Sequence, residues 1–345
     1  MYKRSILLSL SVALMVALLL PTFGLSADKP VKIGITQLVS HPALNAVRNG
    51  VIDEVVAAGY KQGEDVTFSV KSAQAQMSTA TSIAQTFKAE NMDVVVSIAT
   101  NTSTATAQVI KDIPIVVAAV TDFVEAKLVD SYEDYENPSD NGNITGISDQ
   151  VPNPEQWVRD QFELIKELDP SIDTVANIYN PGEANSAFLT KKATKVTEDM
   201  DLKLIKVTAT KTAEVSQAAQ SIRGRADAIW VSTDNTVVSA LPVVAGVAKD
   251  EEIPLLVADP TSITKGPLIG YGFDYYLHGR MAGEIVLRVL NGEKPNEIPI
   301  HTMDYEDLSL ALSAETQHAI NIDIPQSIID KTDLLYYGEH IWEQR

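Results

Sequence analysis

The chain of 345 residues contains no cysteine. It therefore has no disulfide framework, no thiol nucleophile and no cysteine to carry a lipid anchor, so its stability must come from packed cores. Basic residues are also scarce, with 27 Lys and Arg against 46 Asp and Glu, and the net charge is −19. An acidic surface of that size repels nucleic acid and anionic membranes, so neither is an expected partner.

Sequence motifs of catalysis are missing as well. No G-x-G-x-x-G follows the first apolar run, and neither a P-loop nor a G-x-S-x-G elbow occurs. The five histidines are scattered without the spacing of a metal site. The sequence thus predicts no catalytic residue, no metal and no cofactor, and it favours a binding protein over the alternative of an α/β enzyme, which would have to turn over the molecule it binds.

Residues 1–27 differ from the rest of the chain. Two basic residues precede an apolar run at 6–20, and small residues follow at 24–27. This pattern is typical of a secretory signal peptide, cleaved after Ser26 or Ala27. A membrane anchor is less favoured because the run is short for a bilayer span. We therefore expect a soluble periplasmic protein with its signal peptide removed and without a lipid anchor.

From Val31 onward, short apolar runs alternate with segments of helical periodicity. This βαβ order predicts an α/β protein with mainly parallel sheets covered by helices. An acidic segment at 125–141 interrupts the alternation and predicts a solvated loop. The predicted strands are 31–35, 66–70, 94–99, 115–120, 144–147, 175–178, 202–207, 228–231, 255–258 and 268–271.

The two halves of this series resemble each other. Residues 93–102 can be laid beside 227–236, and residues 113–118 beside 253–258. Each pair occupies the same place in its half, which predicts two lobes of one fold that face each other. We expect the first lobe to comprise 28–148 plus about 273–302, and the second 149–272 plus about 303–345.

In such a protein the carboxyl ends of the parallel strands of both lobes point at a common cleft. The loops at these ends carry hydroxyl, amide and carboxylate groups that suit the binding of a small molecule. The first lobe supplies Gln37, His41, Thr100, Asn101, Thr121 and Asp122. The second lobe supplies Tyr179, Asn180, Asn185, Ser186, Thr233, Asp234, Asn235 and Asp259. The connections between the lobes supply Ser148, Asp149, Phe273 and Asp274.

A free amino acid would suit this inventory. Hydroxyl-bearing residues at 100–103 precede a helical pattern, and free N–H groups at a helix start would hold a carboxylate. Phe273 and neighbouring tyrosines could stack on an aromatic side chain, although tyrosines of this kind are often packing residues. Asp259 precedes Pro260, and for it helix capping and binding are equally favoured. The candidate acceptors for the ammonium group are Asp122, Asp234, Asp259 and Asp274.

Six segments together make the chain from Val31 to about Ile329 similar to a known family. The chain resembles the periplasmic substrate-binding proteins of ABC transporters, in the group that includes tryptophan- and tyrosine-type amino-acid binders. The resemblance implies two Rossmann-like lobes of the type I periplasmic binding protein (Venus flytrap) fold. It also implies that the lobes close on a ligand and deliver it to a membrane permease. We expect a monomer whose ligand is an aromatic or large apolar amino acid. The segments are 35–37 with 41–44, 113–122, 144–149, 179–186, 232–236 and 272–276.

The sequence departs from this family at two positions. Asn45 stands where members commonly have Asp after His-Pro-Ala-Leu, and Phe123 stands where Pro is frequent. If the missing carboxylate helps to bind an ammonium, this protein uses another Asp or prefers another ligand. Two alternatives keep the fold, namely a sensory receptor for a membrane kinase or chemoreceptor and a binder of another solute such as a nucleoside or sugar.

Overall fold

The computed structural model describes residues 29–338 and 340–343. The ten predicted strands all form, with ends that lie within two residues of the predicted ones. The strands are β1 (Val31–Gln37), β2 (Val66–Ser72), β3 (Val94–Ile98), β4 (Ile115–Val120), β5 (Ile144–Ser148), β6 (Thr174–Tyr179), β7 (Lys203–Thr208), β8 (Ala228–Val231), β9 (Leu255–Val257), β10 (Ile269–Phe273), β11 (His301–Thr302), β12 (Leu308–Ser313), β13 (Leu334–Tyr337) and β14 (His340–Glu343).

The helices lie mostly where apolar residues recur every three or four positions. One helix begins at Leu241, with Pro242 in the first turn, where the N–H that proline lacks has no partner within the helix. The helices are α1 (Pro42–Ala57), α2 (Met77–Ala89), α3 (Thr100–Val109), α4 (Glu133–Glu136), α5 (Pro154–Leu168), α6 (Ala184–Asp199), α7 (Val215–Gln220), α8 (Asn235–Val238), α9 (Leu241–Asp250), α10 (Tyr275–Leu290), α11 (Ala314–Ile320) and α12 (Gln326–Lys331).

The strands form two sheets. The first has the order β11-β5-β4-β3-β1-β2, and all its strands are parallel. The second has the order β14-β13-β12-β10-β9-β8-β6-β7, in which the β10–β12 and β13–β14 pairs are antiparallel and the other pairs are parallel. The α/β class with mainly parallel sheets is thereby confirmed.

The first five strands of each half occupy equivalent places. In the first sheet β1 lies between β2 and β3, and in the second sheet β6 lies between β7 and β8. The aligned repeats at 93–102 and 227–236 both run from a central strand into the following helix. The internal similarity therefore reflects one βαβ topology that occurs twice.

The chain passes from one sheet to the other three times. It leaves the first sheet after β5, returns after β10 into α10, and leaves again after β11. Helix α10 packs along α1, whose apolar stripe includes the buried Leu44, Val47 and Val51. A segment late in the sequence thus belongs with the first sheet.

The acidic segment at 125–141 differs from the solvated loop we predicted. It contains α4 and a 3-10 turn at Pro138–Asp140. The Tyr135 ring is buried edge-on against Phe123, and its hydroxyl accepts the Phe123 N–H at 3.0 Å. The sequence suggested an exposed segment because acidic residues flank Tyr135, the aromatic residue that packs inward.

In the part of the chain that the structure describes, no helix has the length and apolarity needed to cross a bilayer. The predicted signal peptide at 1–27 lies outside the described residues. Two tryptophans are buried in the core, with Trp157 against Phe273 and Trp230 against Phe162.

Candidate functional site

A small cavity lies between the two sheets. We call it the interlobe cavity. Its lining residues follow the carboxyl ends of strands or begin the helices beyond them. They are His41, Ala43, Leu44, Ala119, Asp149, Asn185, Thr233, Asp234, Asn235, Val238, Asp259 and Tyr275.

Asp149 directly follows β5, and the described part of the protein uses only one of its two carboxylate oxygens. Its Oδ2 accepts the Tyr275 hydroxyl at 2.8 Å, while its Oδ1 is buried without a partner. Burial raises the pKa of Asp149, and the hydrogen bond from Tyr275 opposes that rise. Among the described residues, no Lys or Arg lines the cavity to compensate the charge. The site is therefore short of a cation.

Three other lining residues also carry a buried polar atom without a partner. These atoms are Nδ1 of His41, Oδ1 of Asn185 and Oγ1 of Thr233. Asn185 donates its Nδ2 to the Thr233 carbonyl at 2.6 Å, which leaves its oxygen as an acceptor. Because buried polar groups are normally paired, this surplus of acceptors matches a ligand rich in N–H or O–H donors.

His41 connects the two lobes. It precedes α1, and its Nε2 lies 3.1 Å from Oδ1 of Asn235 at the start of α8. Burial lowers the pKa of His41 to about 4, so the ring is neutral at pH 7. A second link joins Nδ2 of Asn101 to the Gly182 carbonyl at 3.3 Å. Both links cross the cleft beside the cavity.

Two of the predicted ammonium acceptors line the cavity, but the protein already uses their oxygens. Asp234 accepts the backbone N–H of Asn180 at 2.5 Å and of Val237 at 2.8 Å, and the Ser186 hydroxyl at 2.6 Å. Asp259 caps the turn after Pro260 and accepts the Ser262 hydroxyl. Their role in the structure is capping.

The other two predicted acceptors lie outside the cavity lining. Asp122 accepts the backbone N–H groups of Val124 and Glu125 and the Tyr132 hydroxyl at 2.6 Å. Asp274 is exposed and caps α10. Short acidic side chains after strands serve helix starts as readily as ligands, and the sequence does not distinguish the two uses.

The loop from Tyr179 to Ser186 is held mainly by its own lobe. Asn180 accepts the Gly182 N–H at 2.9 Å and donates its Nδ2 to Thr236 Oγ1 at 2.8 Å, so both ends of its amide are occupied. Asn185 reaches the cavity, whereas Tyr179 is half-buried and does not line it. Only part of the loop therefore faces the ligand space.

Glu183 of this loop is buried, which the sequence did not lead us to expect. Its carboxylate accepts the backbone N–H and the side chain of both Asn235 and Thr236. A glutamate before a helix is ordinarily an exposed group that favours the helix dipole. Its partners lie 52 and 53 positions along the chain, so no local pattern marks it.

The start of α3 lies close to Ala119 and Tyr275, the lining residues that we call the cavity floor. The Ala99 N–H bonds the carbonyl of Ala118, the neighbour of the lining residue Ala119. Ala99 and Ala119 have φ of +81° and +52°, a conformation that costs about 1–3 kcal/mol for a residue other than glycine. The hydroxyls of Thr100 and Thr102 are buried without partners. Backbone strain and unpaired hydroxyls therefore occur together near the carboxyl ends of β3 and β4.

His278 supports this floor from below. Its Nε2 accepts the Ala119 N–H at 3.0 Å, and burial lowers its pKa to about 3. It lies one helical turn after Tyr275, which holds Asp149. No cleft was expected near it, since its contact depends on α10 packing against the first sheet.

The remaining predicted residues make structural contacts outside the cavity lining. Ser148 donates to the Thr121 carbonyl at 2.8 Å, and Phe273 lies in the core against Trp157. Gln37 donates to Asn45 Oδ1 at 3.0 Å, and Asn45 itself donates to Ser40. Asn45 does not line the cavity, so its difference from the family pattern leaves the cavity charge unchanged.

Two α/β lobes of matching topology with a polar cavity between them define a type I periplasmic binding protein. Residues 32–333 match the family model of ABC transporter substrate binding proteins, and the chain belongs to that family. Such proteins are extracytoplasmic and bind small molecules, and their family role is binding rather than catalysis.

Individual proteins are similar to this chain over most of its length. A tyrosine-binding protein of Clostridioides difficile is 33% identical over 296 residues, which is 86% of this chain and 82% of the relative. A structure from Streptococcus pneumoniae in complex with L-Trp is 28% identical, with a TM-score of 0.81, covering 89% of this chain and 100% of the other.

The third comparison is with a ligand-free, open structure. It is a substrate-binding protein with adhesive properties from Clostridium difficile, 32% identical, covering 90% of this chain and 100% of the other. Its TM-score is 0.63, below that of the L-Trp complex despite the higher identity. The conformation of the present chain is accordingly more similar to that of the complex.

Proposed function

We propose that this protein captures a free amino acid with an aromatic or large apolar side chain in the interlobe cavity and delivers it to an ABC permease. The observation that carries the proposal is Oδ1 of Asp149, which has no hydrogen-bond partner among the described residues and is buried in a cavity that none of their cationic side chains lines. An ammonium group supplies both the missing charge and three donors.

The other acceptors suit the same group. Nδ1 of His41 and Oδ1 of Asn185 are the further buried acceptors among the lining residues. A buried carboxylate left alone is costly, while a carboxylate paired with a cation and hydrogen-bonded is not. A cationic ligand group would therefore supply the partner that this carboxylate needs.

The carboxylate of the ligand would lie toward the start of α3. Thr100 and Thr102 lie outside the cavity lining, but their unpartnered hydroxyls support this placement, together with the N–H groups of a first helical turn. Asn101 already spans the cleft to Gly182 at this point. The two charged ends of the ligand would thus be held at separate places.

An apolar wall remains for the side chain. Ala43, Leu44, Ala119 and Val238 line the cavity together with the ring of Tyr275. The names of the relatives, one a tyrosine-binding protein and one solved with L-Trp, favour an aromatic ligand. The absence of the stacking role expected of Phe273 leaves Tyr275 as the aromatic contact.

The same proposal includes the architecture and the cellular setting. The first lobe comprises 28–148 with about 273–302, and the second comprises 149–272 with about 303–345. The place of β11 in the first sheet and the packing of α10 against α1 support this division. The protein acts as a periplasmic monomer without a lipid anchor, after removal of a signal peptide at 1–27, with an inner-membrane permease as its partner.

Calorimetric titration with a panel of small molecules tests the function. We expect L-tyrosine or L-tryptophan to bind, with smaller amino acids weaker and myo-inositol inactive. N-acetyl-L-tyrosine lacks the ammonium and tyramine lacks the carboxylate, so each should bind far less well than L-tyrosine. Binding of the N-acetyl compound with undiminished affinity would contradict the role of Asp149.

A further inference from the structure

We propose that Glu183 is a positioning residue that acts through Asn235 on His41, stabilising the closed lobes and leaving Nδ1 of His41 as an acceptor for the ligand. The inference rests on the proposed function and deepens it. Glu183 does not itself line the interlobe cavity, so it would act on the ligand only through other residues.

Glu183 is surrounded by donors. It is 1% exposed and accepts from Asn235 the backbone N–H at 3.1 Å and Nδ2 at 2.7 Å. From Thr236 it accepts the backbone N–H at 2.9 Å and the hydroxyl at 2.6 Å. Both of its oxygens are acceptors, an arrangement that only a carboxylate satisfies in full.

These contacts orient the Asn235 amide. Its nitrogen must face Glu183, since an amide oxygen placed there would face a carboxylate oxygen. Its Oδ1 therefore faces His41 at 3.1 Å and can only accept. It follows that Nε2 of His41 carries the proton and donates.

The tautomer of His41 has a consequence for the ligand. A neutral imidazole carries one N–H, so Nδ1 has none and is an acceptor. This atom is buried without a partner, and His41 lines the cavity. With the other tautomer, His41 would present a donor to an ammonium and repel it.

The same chain of contacts bears on lobe closure. His41 belongs to the first lobe, while Asn235 and Glu183 belong to the second. A fixed Asn235 loses less freedom when the lobes close, so the closed state is more populated. Because apparent affinity falls with the fraction of competent protein, loss of Glu183 should weaken binding.

The first arm of the test is titration of two variants with L-tyrosine and L-tryptophan. Glu183→Gln keeps the shape but turns one acceptor into a donor, and we expect its binding to be about tenfold or more weaker. Glu198→Gln makes the same change at an exposed site of the same helix, α6, and should bind like the wild type. Equal affinity of E183Q and wild type would overturn the proposal.

The second arm needs no ligand and reads the histidine directly. Nitrogen-15 NMR distinguishes the two imidazole tautomers, and a His41→Gln variant identifies the His41 signals among those of the five histidines. We expect the Nε2–H form in the wild type and in E198Q, and a mixed or Nδ1–H form in E183Q. An unchanged tautomer in E183Q would mean that Glu183 acts only as a structural cap.

The two arms distinguish a failure of the role proposed for Glu183 from a failure of the proposed function. If neither amino acid binds the wild type, the proposed function is wrong, while the NMR result still decides the role of Glu183. Should E183Q fail to fold, Glu183→Asp keeps the charge but shortens the reach. The same measurements on E183D, with the same two outcomes, then decide.

Discussion

Asp149 combines three properties at the scale of a single residue. It is buried, one oxygen is held by Tyr275, and the other oxygen has no partner. Its neighbours on the cavity wall, Asp234 and Asp259, have both oxygens occupied by donors of the protein. A carboxylate is thus available to the ligand only where capping has not already used it.

Replacing this carboxylate should separate binding from stability. We expect Asp149→Asn to weaken amino-acid binding by about 10- to 100-fold, because a hydrogen bond to a charged group contributes about 1.5–3 kcal/mol. The melting temperature of the ligand-free protein should not fall, because the cost of a buried charge is removed. Calorimetric titration and thermal unfolding measure the two effects. Tyr275→Phe should weaken binding less, and unchanged affinity in D149N would remove Asp149 from the site.

Asp234 should give the unfolding free energy a distinctive pH dependence. Burial, with the charge of Glu183 second, raises the pKa of Asp234 to about 7 from an ordinary value of 3.8. The folded state therefore binds more protons than the unfolded state between these values, and the contribution of Asp234 to stability falls as pH rises from about 4 to about 7.

Comparison of the wild type with Asp234→Asn isolates this contribution. The unfolding free energy of D234N minus that of the wild type should increase from pH 4 to pH 7 and level off above it. His41 and His278 have lowered pKa values and contribute a slope of the opposite sign, but they are common to both proteins and cancel in the difference. Denaturant titrations at several pH values measure it, and a flat difference would be inconsistent with the raised pKa.

At the scale of elements, the approach of α1 and α10 sets the geometry of the cavity floor. The two helices touch through glycines, and a Cβ on Gly279 would lie 2.2 Å from the Val47 carbonyl oxygen. Gly50 faces the Tyr276 carbonyl oxygen in the same way, at 2.3 Å. Tyr275, which lines the cavity, and His278, which supports Ala119 from below, are both on α10, so a shift of this helix would move them.

Adding one methyl group at this contact should therefore be costly. We expect Gly279→Ala to lower the unfolding free energy by about 1–3 kcal/mol or more, because the backbone of α1 has to move, and to weaken ligand binding as well. Gly246→Ala is the matched control, since Gly246 lies within α9 and its Cβ would meet nothing within 4 Å. That substitution should stabilise by up to about 1 kcal/mol. Similar unfolding curves for the two variants would argue against a tight contact.

At the scale of the whole molecule, the two lobes meet through single hydrogen bonds beside the cavity. His41 to Asn235 and Asn101 to Gly182 are such links. The higher similarity to the L-Trp complex than to the ligand-free, open structure is consistent with a closed arrangement. A ligand that contacts both lobes shifts the population toward this state only through its preference for it.

The absence of cysteine makes this closure directly measurable. Lys61 in the first lobe and Lys211 in the second are exposed, and each can be replaced by cysteine for labelling without competing thiols. We expect the distance between the two labels to shorten when L-tyrosine or L-tryptophan is added. Asn235→Ala should reduce the fraction that closes, and a label distance indifferent to any ligand would contradict a closing mechanism.

Local sequence was sufficient for the strands, the repeated topology and the family. Apolar runs and helical periodicity depend on neighbouring residues, so strand ends were predicted within two residues. The strand ends also marked out the region of the cleft, and seven of the residues we predicted there line the cavity. They are His41, Asp149, Asn185, Thr233, Asp234, Asn235 and Asp259.

Only the tertiary structure decided which of these groups are free. Asp122, Asp149, Asp234 and Asp259 all follow strands, yet of these four only Asp149 lines the cavity with an oxygen that meets no donor in the described part of the chain. The link from His41 to Asn235 spans 194 positions, and that from Glu183 to Asn235 spans 52. A buried hydrogen bond forms only where packing brings a donor to an acceptor. Because these partners lie far apart in the sequence, no local sequence pattern reveals the bond.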